Sequence, residues 1–266
     1  MSRIRHAAAA PSPRRRFASL TAALSTSLIA ALAATGCVRL SAFDANGLWK
    51  VVGGQCVPNA RDKGQPGPCT KVDFDKRYAV LKDINGRAQY LLIPTDRVSG
   101  IESPDILYAG SPEYWAGAWA AGRYVDDKLK TTLAPTQLGL EINSSQQRSQ
   151  NQLHIHVDCM RNDIVDALAP YRHDAPGSWR WATLDGKRYR VTRVTSLTDS
   201  NNPFRVVERG LDPQQSMAKQ TILVTGAGAD TAHDGWLVVN SAQDVDGGTG
   251  TAEGLLDHAC AIAKAP

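Results

Sequence analysis

Residues 143–159 read NSSQQRSQNQLHIHVDC. The last six positions alternate: His154, His156 and Asp158 stand at every second residue, with Ile155 and Val157 between them. A period of two is the signature of a strand, because successive side chains leave opposite faces. At a rise of about 3.3 Å per residue, the three polar groups line one face roughly 6–7 Å apart. Ile155 and Val157 turn the other way, into a core. Three polar groups in such a row suit metal ligands, a nucleophile with its helpers, or a solvated strand face. The surrounding chain has to choose among them.

Upstream, YAVLKD (78–83) and AQYLLIP (88–94) are apolar runs separated by INGR, and Asn85-Gly86 is a tight-turn signal. Together they predict a hairpin. TDRVSGIESP (95–104) reads as a loop. Ser111 fits a helix cap with Pro112 at the first helical position. Trp115, Ala118, Trp119, Gly122, Val125 and Leu129 then recur at helical spacing, a stripe expected in the core rather than in an aromatic binding box. LGLEIN (138–143) predicts a strand closed by Asn143, and SSQQRSQ (144–150) a polar connection.

Downstream, NDIVDALAPY (162–171) predicts a short helix stopped near Pro170. WRWATL, KRYRVTRV, FRVVER, TILVTGAG and GWLVVNSA predict strands, and TAEGLLDHACAIAK (251–264) a final helix. Towards the other end, SAFDANGLWKVVGGQC (41–56) predicts a short helix before the turn-rich polar loop VPNARDKGQPGP (57–68). GAGADTAHDG and DVDGGTGTAEG are glycine-rich but lack the lysine of a phosphate-binding P-loop, so both read as ordinary loops. Strand pairs with intervening helices give an α+β fold.

The chain has 266 residues, 42% of them hydrophobic, enough for one large domain or two small ones. Five of its 30 basic residues (Arg3, Arg5, Arg14, Arg15 and Arg16) lie in 1–36, which holds no acidic residue. That leaves 25 basic against 26 acidic in the remainder, so no nucleic-acid partner is expected. The arginines precede an apolar run, FASLTAALSTSLIAALAATG, which reads as an export signal or membrane anchor over residues 1–36. Arg14, Arg15 and Phe17 also fit a twin-arginine core. ATGC (34–37) resembles a bacterial lipoprotein cleavage site, which makes Cys37 the expected lipidation site, although Ala34 stands where leucine is usual. The body of the protein is therefore expected outside the cytoplasm, attached to the bacterial inner membrane by its N-terminus. Four further cysteines in an exported chain suggest two disulfides with three possible connectivities. Cys56–Cys69 with Cys159–Cys260 is favoured, since the first pair brackets the easily closed polar loop.

The run NSSQQRSQNQLHIHVD resembles the histidine triad (HIT) superfamily of nucleotide hydrolases and transferases. That superfamily shows an asparagine, then a small residue with glutamine, then alternating histidines on the next strand; here these are Asn143, Ser149-Gln150, His154 and His156. The hairpin resembles the superfamily's segment whose acidic residue holds ribose, a position that falls on Asp83. GQCVPN, YAVLKDINGRAQYLLIPTDRVSGIESP, EINSSQQRSQNQLHIHVDC and the late DHAC are together similar to the bacterial CDP-diacylglycerol pyrophosphatase family. The resemblance implies a HIT-like antiparallel sheet with flanking helices, extended by a β-rich C-terminal half. It divides the chain into the anchor (1–36), an N-terminal helix and disulfide loop (37–76), a catalytic core (77–175) and a β-rich portion packed on it (176–266). It also implies a membrane-attached enzyme that cleaves CDP-diacylglycerol to CMP and phosphatidate, without a cofactor.

Three positions depart from the superfamily pattern, the first being Ser149, where a glycine usually precedes the glutamine. Asp158 stands where a third histidine is usual, and Gln89 where an upstream histidine is sometimes found. The nucleophile position is His156, with His154 as its expected support and Gln150 beside them. A neutral imidazole suits this work, because it approaches a charged pyrophosphate without repulsion and splits one hard step into two. Asn143, Ser149, Gln150 and Asn151 are expected to donate to phosphate oxygens, Asp83 to accept from ribose hydroxyls, and Lys82 and Arg97 to contact phosphate. Asp158 is expected to position His156 or water. His173, His233 and His258, in loop or terminal-helix contexts, are not expected to be catalytic. Two other readings of HIHVD are a metallo-hydrolase His-x-His-x-Asp site and a non-catalytic lipoprotein that binds nucleotide or lipid.

Overall fold

A computed structural model describes residues 44–263. The export signal and Cys37 lie outside the described residues. The chain opens with α1 (Gly47–Val51), which runs through a wider π turn at Val52–Cys56 into α2 (Val57–Lys63). The helix expected over 41–56 thus extends into the segment read as a loop. The glycine pair Gly53-Gly54 is absorbed by the π turn, and Pro58 falls in the first turn of α2, where its missing N–H is harmless. Then come β1 (Lys71–Asp73), β2 (Tyr78–Lys82), β3 (Tyr90–Pro94), α3 (Tyr114–Leu129), β4 (Leu138–Ile142) and β5 (Ile155–Cys159). The second half holds α4 (Asn162–Ala167), β6 (Arg180–Leu184), β7 (Lys187–Val194), α5 (Pro203–Arg209), β8 (Gln220–Gly226), α6 (Thr231–Asp234) and β9 (Trp236–Ala242).

Three readings are corrected. FRVVER is helix α5, not a strand. Asn202 caps it by accepting from the Phe204 N–H at 3.0 Å, and Pro203 takes the first position. The final helix over 251–264 is also absent. Glu253–Leu255 form one 3₁₀ turn, Leu256 bridges to Met160, and Cys260 takes a left-handed φ of 52° in its disulfide. The α3 helix begins three residues after Ser111, because its N-cap position is Glu113.

The nine strands of the described residues form one antiparallel sheet in the order β1-β2-β3-β5-β4-β8-β9-β7-β6. Within the sheet, the strands of the two halves of the chain join through one pairing, β4 on β8. One face carries the main core. Ile155 and Val157 pack there with Leu140, Leu92 and Val224 beneath α3 (Trp115, Ala118, Val125) and α5 (Phe204). Trp115 and Phe204 meet with ring centroids 5.1 Å apart.

The other face carries two smaller apolar clusters. At the β1–β3 end, Val52 and Cys56 cover Ala79, Leu91 and Ile93. At the far end, Ile164 and Leu168 of α4 and its sequel join Leu255 and Leu256 over Leu223, Leu237 and Val239. Between these clusters the central strands β5 and β4 present His156, Asp158 and Glu141 on that same face. His156 is flanked in register by Leu91 on one side and Glu141 on the other. The expected disulfides are both present. Cys56–Cys69 ties the π turn before α2 to the approach to β1, and Cys159–Cys260 ties the end of β5 to the C-terminal segment.

Candidate active site

A cleft of about 380 Å³ opens over this polar gap. Leu48 and Val51 of α1 form one wall, and Leu81, Lys82, Asp83, Ile84 and Asn85 of the hairpin another. Asn143, Ser149 and Gln150 border it from the connection after β4, with His154, His156 and Glu253 also lining it. The hairpin connection runs from Asp83 to Gln89, longer than the four-residue turn expected. Gly86 takes a φ of 68° within it, a conformation glycine adopts without strain.

The floor is built around two histidines. The His156 side chain is buried, and its Nδ1 lies 2.7 Å from Gln89 Nε2. Its Nε2 is buried without a protein partner. His154 precedes β5 by one residue and donates from Nδ1 to the Gln152 carbonyl at 2.8 Å, which leaves its Nε2 unprotonated. The two rings meet at a centroid distance of 5.1 Å. Burial holds both below the ordinary imidazole range, His154 to about 4 with some help from its neighbour's charge, so both rings are neutral at pH 7.

A second group of side chains comes from the far end of the sequence. His258 Nδ1 donates to Asp158 Oδ2 at 2.8 Å, and its Nε2 lies 3.5 Å from Glu253 Oε1. Glu253 Oε2 accepts from Asn143 Nδ2 at 3.3 Å. The hydrogen bond to Asp158, then that to Glu253, raises His258 to about 10. The same hydrogen bond, foremost, lowers Glu253 to about 2. Asp158 moves the other way. It is wholly buried, and burial pushes its carboxyl up although the imidazolium draws it down. At neutral pH His258 is therefore a cation held between two carboxyl groups. Glu141, opposite His156, is fully buried and pushed up to about 8, chiefly by burial. Its Oε1 accepts from Thr221 Oγ1 and from the Ala252 N–H, each at 3.0 Å, which pins the segment that delivers Glu253.

The residues singled out from sequence divide into two sets. His154, His156, Gln150, Asp83, Asn143, Ser149 and Lys82 line the cleft. Arg97, Asn151 and Asp158 do not. Arg97 stacks on Trp49 at 5.4 Å and bonds to Asn46 and Gln152. Asn151 is exposed and donates its N–H to Ala45 O at 2.6 Å. Asp158 gives its other oxygen to the Cys159 N–H at 2.8 Å. Even within the cleft some groups are already engaged. Gln150 accepts from the Leu48 N–H at 2.9 Å and donates to Asp44 O at 3.1 Å, securing the start of α1. Lys82 Nζ donates to the carbonyls of Asp83 and Gly86 at 2.7 and 3.1 Å, and burial lowers its pKa.

Glu253, Glu141 and the charged role of His258 were missed. Of the three, His258 lies in the DHAC run and Glu141 opens the EINSSQQRSQNQLHIHVDC run, whereas Glu253 lies in none of the runs that carry the resemblance. His154, His156 and Asp158 do not converge as a metal-binding set. Among the described residues the group with metal-ligand spacing is Asp158, Cys159 and Cys260, and both of its sulfurs are closed in a disulfide.

A family model described as CDP-diacylglycerol pyrophosphatase matches residues 43–264. A CDP-diacylglycerol pyrophosphatase of Yersinia pestis is 36% identical over 244 residues, which span 90% of this chain and 93% of that protein.

Proposed function

The chain belongs to the CDP-diacylglycerol pyrophosphatase family and hydrolyses the pyrophosphate bond of that lipid, and we propose that it does so through a covalent intermediate on His156. The observation that carries this reading is the state of His156. It is a neutral ring with one nitrogen engaged by Gln89 and the other unpartnered, beside a cleft bordered by amides and a lysine. With its lone pair on Nε2, the ring attacks phosphorus. An N–P bond forms, and the anhydride P–O bond breaks with its electron pair passing to the leaving phosphate. Water then attacks phosphorus, and the N–P bond breaks with its pair returning to the ring. Attack on the cytidylyl phosphorus, by analogy with nucleotidyl transfer in the HIT superfamily, releases phosphatidate first and CMP second.

The rest of the cleft supports that assignment. The Asn143 amide and the Lys82 ammonium suit phosphate oxygens; one well-placed donor of this kind contributes about 3 kcal/mol to a transition state. Asp83 offers acceptors to ribose hydroxyls. The apolar wall of Leu48, Val51, Leu81 and Ile84 suits the acylglycerol end. The HIT-like relationship rests on the run 143–158 and on the hairpin. The anchor ending near Cys37 would hold the enzyme on the extracytoplasmic side of the inner membrane, where a two-chain lipid reaches it by lateral diffusion.

His156→Ala tests the mechanism. It is expected to abolish CMP release from CDP-diacylglycerol while leaving the circular dichroism spectrum unchanged. Substrate labelled at the cytidylyl phosphate should leave label on His156 of the intact enzyme after rapid quenching at alkaline pH. Retained activity in the variant would falsify the nucleophile assignment, and label arriving only from the phosphatidyl phosphate would reverse the order of release.

A further inference from the structure

Gln89 is 1% exposed, and its amide nitrogen faces two groups at once: Asp83 Oδ2 at 2.8 Å and His156 Nδ1 at 2.7 Å. A carboxylate only accepts hydrogen bonds, so Asp83 dictates which end of the amide turns towards it. That end must be the NH₂ group. The same nitrogen then donates to His156 Nδ1, which must accept. A neutral imidazole has one donor and one acceptor nitrogen, so the proton sits on Nε2. Burial holds this ring neutral, so a second proton does not blur the assignment. Two buried atoms are left idle by the arrangement: Gln89 Oε1 and His156 Nε2, neither with a partner.

We infer that Asp83, acting through the Gln89 amide, fixes the tautomer of His156 and holds the resting ring in the form that cannot attack through Nε2. The inference rests on the proposed nucleophile, whose lone pair must lie on Nε2. Asp83 borders the cleft, so a hydroxyl donor on the substrate can occupy its carboxylate. The Gln89 amide is then released and turns over, and its idle Oε1 accepts from Nδ1–H. The ring takes a proton from water on Nδ1 and gives one up to water from Nε2, and its charge is unchanged. Both idle atoms acquire work: Oε1 holds the ring, and Nε2 faces phosphorus. Asp83 and Gln89 are in this sense positioning residues, and they couple occupation of the nucleoside end of the cleft to readiness of the nucleophile.

The test is the ¹⁵N spectrum of the full chain labelled at its six histidines, near neutral pH and without substrate. His156→Gln identifies the His156 signals by their loss. The resting protein is expected to show an unprotonated Nδ1 and a protonated Nε2 at His156. The pair Asp83→Asn with Gln89→Glu reverses every donor in the circuit at nearly constant shape. It is expected to move the proton to Nδ1, which a merely structural role for either residue would not do. A proton already on Nδ1 in the resting wild-type protein overturns the inference, as does a folded double variant with an unchanged tautomer. If the double variant does not fold, the wild-type spectrum alone decides. Absence of activity on CDP-diacylglycerol would overturn the functional reading and leave the spectrum to stand or fall by itself.

Discussion

Replacing His258 by alanine removes the cation between Asp158 and Glu253. Asp158 is wholly buried while the His258 side chain is 39% exposed, so the loss falls on a carboxylate without access to water. The displacement of His258 from 6.5 to about 10 converts, at about 1.4 kcal/mol per pH unit, to roughly 5 kcal/mol. Solvent screening at the half-exposed ring reduces this to about 2–3 kcal/mol, just below the range of about 3–5 kcal/mol for breaking a buried pair. The pH dependence is specific. A histidine raised in the folded state contributes fully below its unfolded pKa of about 6.5, and its contribution is lost as pH rises through about 10. Urea unfolding of wild type and His258→Ala should therefore differ by about 2–3 kcal/mol at pH 6 and converge near pH 10. His258→Gln, which can still donate to Asp158, should recover about half of the difference. A difference under about 0.5 kcal/mol at pH 6, the size of an ordinary surface substitution, or one that grows towards alkaline pH, would refute the assignment of a cation held between Asp158 and Glu253.

Glu141→Gln should stabilise the protein progressively between about pH 5 and 8. Burial raises this carboxyl to about 8 in the folded state, so the unfolded chain gains about 1.4 kcal/mol per pH unit by ionising first; parallel thermal midpoints of variant and wild type over that range would contradict it. The two disulfides should separate stability from activity. Replacing Cys56 and Cys69, 13 residues apart, costs about 3 kcal/mol on the chain-entropy model and leaves hydrolysis intact, whereas losing the Cys159–Cys260 bond, which spans 101 residues, costs about 4–5 kcal/mol and also frees His258. Calorimetry with CMP release on both pairs of variants checks this, and equal activity in the two would count against it. Ile84 is 98% exposed at the cleft mouth, so Ile84→Ser should change stability by less than about 0.5 kcal/mol. It should lower kcat/KM for long-chain CDP-diacylglycerol relative to a short-chain soluble analogue; an unchanged ratio removes Ile84 from the lipid-facing wall.

The elements that organise the catalytic face were legible where a local rule governs them. The hairpin followed from Asn85-Gly86 between apolar runs, the α3 stripe from helical spacing, and β5 from strict alternation. FRVVER misled because a short apolar run without context suits strand or helix equally, although Asn202-Pro203 before it carried a helix start. The final helix failed for a tertiary reason. Residues 253–260 are drawn onto β4 and β5 by Glu141, by the Met160 bridge and by the disulfide, and a regular helix cannot satisfy all three. The site shows the same division. His154, His156, Asn143 and Ser149 share one contiguous run, whose spacing reports on them together. Glu253 and His258 reach the site only through the return of the chain, which no spacing encodes, whereas Gln89 stood out only through the resemblance, as the place of an upstream histidine. Arg97 and Asn151 looked like phosphate contacts because composition reports charge and polarity but not direction; the Arg97 guanidinium is spent on Trp49, Asn46 and Gln152, and the Asn151 side chain accepts from Arg148.

Glu253 lies 110 residues after Asn143, and His258 lies 100 after Asp158. A ribosome therefore delivers the whole 143–158 run long before the groups that complete its electrostatics. A nascent chain, or one broken off in the last strands, carries the signature without the site. A chain that ends with the motif lacks Glu253, His258 and the second disulfide alike. For anyone cutting the protein down to a minimal hydrolase, the motif marks the wrong boundary: the shortest working piece is expected to extend through the last cysteine.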